Sequence, residues 1–386
     1  CFIEGKIRQP NKIKRQIMAK VIKFAEKNIV VLIAWLLAAV SMILVPLDPL
    51  YKGYFDLPTL CCLFSTMLVI GAFKSRRFFI TVAKVLILKL KNARLLCISL
   101  VFITFAASVF LANDMALLTF LPLTIMVYKS CGKEKHIAFT IIMQTVSANL
   151  GGMIMPFGNP QSLYLYSAFN IEVSEFVRIM AIPFLISVVV IFGLCFAVKS
   201  EKVSLLSDEK AQIPPWRVAL YTALFALSLL AVFRVVNYLI VTAAIAVVLL
   251  AVEYKSYTFV DYGLLLTFTA FFIFANNMSR LDEVRQAVAF LLDNSVYLTG
   301  IISCQFFSNV PSAIFLSKFT SDYRQLLLAT NIGGSGTLIA SLASLISFKA
   351  YTGMYPDKGL KYLGLFSLIN FGFLVALSAV VMLLII

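Results

Sequence analysis

Apolar runs of the length a membrane span needs, about 17–25 residues, recur at 29–47, 57–73, 136–168, 176–198, 218–233, 235–252, 262–277, 326–348 and 362–386. They predict nine crossings, the fifth and sixth divided only around Arg234 to Asn237. Two of the runs are interrupted. "SANLGGMIMPFGNPQS", Ser147 to Ser162, and "TNIGGSGTLIAS", Thr330 to Ser341, place glycine, asparagine and hydroxyl residues where a membrane helix favours leucine. Non-helical backbone at membrane depth persists only where protein or a polar cavity satisfies its peptide groups, so such breaks predict a binding site.

The breaks share a core, Asn149-Leu150-Gly151-Gly152 and Asn331-Ile332-Gly333-Gly334, with Gly158 and Gly336 downstream; six of the chain's 17 glycines fall here. Close helix packing by small residues would account for the glycines, but not for Asn149, Asn159, Gln161, Asn331, Ser335 and Thr337 beside them. Glycine-interrupted apolar segments paired between two halves of a chain are the signature of a secondary transporter built from inverted repeats around a midplane site.

Between the second and third spans, Ser75 to Asn92 is basic and amphipathic enough to lie along the membrane interface. Two apolar hairpins complete the pattern. One runs 95–128, its arms Leu95 to Leu111 and Met115 to Tyr128 joined at Ala112-Asn113-Asp114; the other runs 297–319, its arms Tyr297 to Phe307 and Val310 to Phe319 joined at Ser308-Asn309. Arms of about 11 residues rise only ~16 Å, roughly half of a ~30 Å hydrocarbon core. They enter and return without crossing.

These units define an all-α polytopic fold. Residues 1–28 form a basic cytoplasmic lead-in, 29–200 a first repeat, 201–234 a cytoplasmic loop and linking span, and 235–386 a second repeat of opposite orientation. With the N-terminus in the cytoplasm, nine spans leave the C-terminus outside. Of the 33 lysines and arginines, 26 then fall inside and seven outside, as the positive-inside rule requires. The net charge of +15 is thereby explained by topology, and nucleic-acid binding has no support.

Composition agrees: 61% hydrophobic residues, 13% charged and a mean hydropathy of +0.96 exclude a soluble globule, whose apolar share lies near ~45–50%. Seven cysteines sit mostly in apolar runs, without metal-ligand spacing and with His136 as the single histidine, so they read as small buried hydrophobes. No secretory signal pattern is expected at the N-terminus.

Among 18 acids only Asp114 sits at membrane depth, at a hairpin tip. An intramembrane carboxylate is a functional candidate by default, although an N-cap of the second arm would also suit an aspartate. The other tip offers Ser308-Asn309, so one tip is anionic and one neutral. Helix N-termini and freed N–H groups favour an anionic substrate, while carbonyls and Asn or Asp oxygens favour Na⁺ or a proton. No lysine or arginine lies at membrane depth, which favours a small, weakly charged oxyanion. Asn276 and Asn277 read as interfacial, Arg324 as a rim anchor, and Thr145, Ser147, Thr330 and Thr352 as back-bonding within helices. An enzyme is disfavoured, since neither a paired acid nor a nucleophile–base set is complete. A channel, which also uses re-entrant loops, remains the alternative from another class.

"LANDMALLTFLPL", "SANLGGMIMPFGNPQS", "FFSNVPSAIFLS" and "TNIGGSGTLIASLAS" resemble, in that order, the signatures of the ion transporter superfamily, which holds arsenite permeases, NhaD-type sodium/proton antiporters and citrate or dicarboxylate symporters. The resemblance covers nearly the whole chain from about residue 29. It implies a homodimer in the plasma membrane, working as an elevator, with no cofactor beyond a coupling Na⁺ or H⁺ and no metal beyond that Na⁺. By position it places one ion site at Asp114, Asn149, Gly151 and Gly152 beside the first tip, and the other at Asn331, Gly333 and Gly334 beside Ser308 and Asn309 of the second tip. Substrate falls to Asn113, Asn159, Gln161, Ser308, Asn309, Ser335 and Thr337. The sodium-coupled dicarboxylate branch has Ser-Asn-Thr at both tips, whereas this chain has Ala112-Asn113-Asp114 and Ser308-Asn309-Val310. The departure shifts the expectation toward an arsenite-type oxyanion permease or an antiporter.

Overall fold

A computed structural model describes residues 29–87, 90, 92–203 and 214–385; the basic lead-in of 1–28 lies outside the described residues. The chain is helical throughout them. In order, α1 (Ile29–Leu44), α2 (Leu57–Ser75) and α3 (Phe78–Ile87) lead to the hairpin α4 (Ala93–Phe110) and α5 (Asn113–Ser130), then to α6 (Ile137–Gly151), α7 (Pro160–Ala168) and α8 (Val173–Cys195). The second half comprises α9 (Pro215–Val232), α10 (Tyr238–Val252), α11 (Tyr262–Met278), α12 (Asp282–Asn294), the hairpin α13 (Val296–Phe307) and α14 (Asn309–Leu316), α15 (Tyr323–Ile332), α16 (Leu342–Thr352) and α17 (Gly359–Leu384).

Acids at the ends of the apolar runs set several helix starts. Asp56 accepts from the Thr59 amide at 3.1 Å and opens α2; Asp261 and Asp322 do the same for Leu264 at 2.9 Å and Gln325 at 3.0 Å. Each supplies an acceptor to a first-turn N–H that no helix carbonyl can reach.

By length and composition, six helical segments can cross a membrane, or seven if α11 and α12, bent by 98°, count as one. The expected spans at 57–73, 176–198, 218–233 and 362–386 are among them, while α1, α10 and α11 are apolar but shorter than 18 residues. Both interrupted runs are broken. The first parts into α6, a 3₁₀ turn at Gly152–Ile154 and α7, and the second into α15 and α16.

The arms of the first hairpin are 18 residues each, near 27 Å at 1.5 Å per residue, so the short-arm argument applies only to the second, whose arms have 12 and eight. Both hairpins nevertheless return to the side they leave. At the mouth of the first, Arg94 Nε donates to Val198 O at 2.8 Å, the Ala93 amide to Glu201 O at 2.9 Å, and Lys133 Nζ meets the Glu201 carboxylate at 2.7 Å. One short segment after α8 thus grips both ends. At the second, the Tyr297 amide donates to Gln325 Oε1 at 3.1 Å, tying the start of α13 to the start of α15.

Ion pairs elsewhere follow the same division of sides. Glu253, 3% exposed, receives Arg76 and Arg217 at 2.5 and 2.7 Å, all three assigned to the inside; Arg280–Asp48 and Arg324–Glu175, each at 2.6 Å, join ends assigned to the outside. Every ion pair among the described residues links loop ends that the span count places on one face.

Two expectations change. Asn277 is buried rather than interfacial: its amide donates to Tyr51 Oη at 2.8 Å and Ser41 Oγ at 3.1 Å and accepts from Tyr54 Oη at 3.0 Å, joining α11 to α1 and the turn after it. The amphipathic α12 was not expected, because its Asp282, Glu283, Arg285 and Asp293 erase it from any search for apolar runs. It joins a span to the second hairpin, as α3 does for the first.

The clasp on the first hairpin is titratable. Lys133 and Lys135 hold the Glu201 carboxyl down to about 2, from an ordinary 4.5. A depressed folded-state pKa contributes stability that is complete above the unfolded value and fades as pH falls toward 2. Glu201→Gln is therefore expected to lower the thermal midpoint in detergent at pH 7, with the gap to wild type closing between pH 5 and pH 2. A gap independent of pH would remove the clasp from the stability of the hairpin.

Candidate substrate and ion site

The two breaks meet. Asn159 Nδ2 donates to the backbone oxygen of Asn149 at 3.0 Å and to Asn331 Oδ1 at 3.1 Å, so one side chain bridges both N-[LI]-G-G cores. Asn149 Nδ2 in turn donates to Ser341 Oγ at 3.0 Å and to Gly334 O at 3.3 Å. Asn159 and Ser341 stand ten residues after Asn149 and Asn331 and are the N-cap positions of α7 and α16, both extended in backbone. The asparagine of each break therefore bonds the cap of the opposite half-helix. Packing repeats the exchange: α7 lies against α14 and α15, and α16 against α5 and α6.

The tips close on the same network. Asn113 Nδ2 donates to Asn149 Oδ1 at 2.8 Å, and the Asn309 amide to Ala340 O at 2.9 Å, beside Ser341. Each tip asparagine also turns its Oδ1 onto the next amide, Asp114 or Val310, at 2.9 Å. The N-termini of α5, α7, α14 and α16 thus converge, and their aligned peptide dipoles leave partial positive charge there. Among the described residues no lysine or arginine makes a hydrogen bond or ion pair with this network.

The glycines are steric requirements. A Cβ on Gly151 would overlap Ser108 Oγ and stand 2.7 Å from Phe105 O; one on Gly333 would stand 2.5 Å from Ala329 O and 3.0 Å from Cys304. Ser108 and Cys304 both lie five residues before their tip asparagine, so each first glycine admits the first arm of its own hairpin. A Cβ on Gly152 would meet Asn159 and Gly158, and one on Gly334 would stand 3.1 Å from Asn309 Nδ2.

Asn113, Asp114, Asn149, Asn159, Gln161, Asn309, Asn331 and Ser335 are buried, and Ser308 and Thr337 half-buried. Two groupings differ from the expected ones. Asp114 does not cap α5: Ala112 holds that position, and Asp114 lies in the first turn, buried, with Oδ1 free of any hydrogen-bond partner. Asn331 does not bond Asn309; its Oδ1 accepts from Asn159, from Gln161 at 3.3 Å and from Ser162 Oγ at 2.9 Å, all from the first half. Thr145, Thr330 and Thr352 back-bond at 2.8–2.9 Å as expected, whereas Ser147 Oγ has no partner. Asn159 Oδ1, Gln161 Oε1 and Ser335 Oγ are likewise unpartnered and buried.

Gln305 is a residue the sequence did not single out. Its Nε2 donates to Gly333 O at 2.9 Å and Ser335 O at 3.1 Å, and its Oε1 accepts from the Thr337 amide at 2.9 Å. One side chain of α13 satisfies three peptide groups of the second break. Gly336, at φ +118, leaves the space it occupies. Tip residue Ser308 is also left-handed, at φ +74, where a serine is strained. A cavity of about 680 Å³ between Glu175, Arg178, Asp322 and Arg324 lies at the N-terminal ends of α8 and α15, away from this network.

Broken helices whose polar interruptions are buried against each other inside a helical membrane fold define a membrane transporter. Comparison with known proteins gives the family. A profile described as Citrate transporter matches residues 17–322, and the chain belongs to that citrate transporter family. It is 30% identical over 296 residues to "Uncharacterized transporter MJ0456" of Methanocaldococcus jannaschii, covering 76% of this chain and 81% of that protein. It is 27% identical over 304 residues to "Inner membrane protein YbiR" of Escherichia coli, covering 76% and 80%.

Gly336→Ala adds a Cβ onto Gln305 Oε1 and forces a left-handed alanine, a strain of about 1–3 kcal/mol before any repacking. A clear fall in thermal midpoint is expected, against none for Gly364→Ala, where a Cβ meets nothing within 4 Å. Equal midpoints for the two variants would contradict the fit of Gln305 into the break.

Proposed function

We propose that the chain is a secondary active transporter of a small anion, an oxyanion or a carboxylate, driven by H⁺ or Na⁺ across the plasma membrane through alternating access. The observation that carries this reading is the convergence of four helix N-termini on one buried network containing a single carboxylate. Helix N-termini bind anions through free N–H groups and dipoles, so substrate charge is met without a fixed cation. The unpartnered Asp114 Oδ1 gives a proton or Na⁺ an acceptor on the same network. Each bound species changes the other's electrostatic cost, which is the energetic basis of coupling. Inverted repeats supply two equivalent closures, and a homodimer of such units, each an elevator, is the arrangement proposed.

A Na⁺/H⁺ antiporter of the same fold is the second reading, favoured by the single acid at the first tip opposite Val310 at the second. In proteoliposomes, Asp114→Asn is expected to fold as wild type and to lose uphill accumulation driven by an ion gradient. Retained coupling would take Asp114 out of the mechanism. A panel of arsenite, citrate, succinate and sulfate, with and without Na⁺ and at two pH values, separates the readings: ion exchange indifferent to every anion favours the antiporter. Unsaturable flux that no gradient drives uphill favours a channel.

A further inference from the structure

At the face where the first hairpin opens, two ammonium groups from distant parts of the chain share one aromatic ring. Lys129, in the last turn of α5, stands 5.9 Å from the ring centroid of Tyr355, and Lys358, which precedes α17, stands 5.1 Å from it. The two Nζ atoms therefore lie within about 11 Å of each other. Neither enters an ion pair among the described residues, although four other lysines and arginines on this face do. Asp357 is next in sequence to Lys358 and exposed, and it too makes no ion pair there.

Beside that single acid, the start of α17 adds positive potential. Lys358 is the N-cap of α17 and Lys361 lies in its first turn, where the helix dipole favours anions and disfavours cations. Large apolar side chains flank the basic ones. Leu360, two residues beyond Lys358, is 86% exposed, and Met126, one helical turn before Lys129, is 48% exposed. Cations at the ends of membrane helices, held by an aromatic ring and bordered by bare apolar surface, match the headgroup and upper acyl chain of an anionic lipid.

We propose that Lys129, Lys358 and Tyr355 form a binding site for the phosphate of an anionic phospholipid. Tyr355 holds both ammonium groups at this face by cation–π attraction, and the phosphate takes their charge. Since Lys129 belongs to the first hairpin and Lys358 to the start of the last helix, the lipid joins the two elements.

The test uses the full chain in neutral detergent, titrated with dioctanoyl phosphatidylglycerol, dioctanoyl phosphatidylcholine or inorganic phosphate, reading the thermal midpoint and lipid adducts by native mass spectrometry. Wild type is expected to gain adducts and an upward midpoint shift with phosphatidylglycerol alone. The pair Lys129→Gln and Lys358→Gln loses both, while Lys129→Arg with Lys358→Arg keeps them. The same shift in the glutamine pair overturns the proposal. So does an equal response to phosphatidylcholine, or to phosphate, which marks a free-anion site.

Discussion

Every peptide group freed at a helix break inside a bilayer has to find a partner within the protein. An unmade buried hydrogen bond costs about 1–3 kcal/mol, and each break frees several. The molecule meets this by exchange: Asn149 reaches the cap of α16, and Asn159, the cap of α7, reaches Asn331. Neither break is satisfied by its own half alone. The hairpins depend on the same exchange, because their tip asparagines anchor to Asn149 and to the strand of backbone before Ser341. The contacts that hold the halves together and the polar centre are therefore one network.

That dependence explains the composition of the centre. Asparagine, glutamine and serine both donate and accept, so they can bridge carbonyls, amides and one another without a net charge to bury. A lysine or arginine in the same place would need an acid partner at membrane depth. The field at the centre comes instead from helix ends, with Asp114 as the one full charge available. The contrast between Asp114 and Val310 at matching places in the two tips makes the halves chemically different where they are geometrically alike.

Much of this was legible in the sequence. The paired N-[LI]-G-G cores and the polar tips stand out because such residues are costly in lipid, so their positions carry information whatever the fold. What the sequence hid is partnership. Gln305 finds Thr337 across 32 residues and Asn149 finds Ser341 across 192, and no local period encodes such pairs. Asp114 was legible as a functional candidate, but the cap role that would also suit it is not realised: the helix begins at Asn113, two residues before the start such a cap implies, with Ala112 at the cap position. The hairpin at 95–128 was legible to within two residues at each outer end, but its arms are too long for the half-membrane rise expected of both hairpins. Its mouth is fixed by Glu201, which lies 66 residues beyond Lys135. The helix α12 escaped notice since its charged face breaks the apolar count.

Gln305 has no equivalent in the first hairpin. Four residues before Asn309 the chain places an amide that laces α13 to the second break, while four residues before Asn113 it places Val109, which has no polar group to offer. The two halves thus differ in how hairpin and break are joined, as well as in charge. The later hairpin is laced directly to its unwound segment, whereas the earlier one is held on the helix before its break: Gln144 of α6 donates to Thr104 Oγ1 at 2.8 Å and accepts from Thr124 Oγ1 at 2.9 Å, one on each arm, in addition to the bond from Asn113 to Asn149. One half braces the unwound segment itself, and the other braces the helix that leads into it.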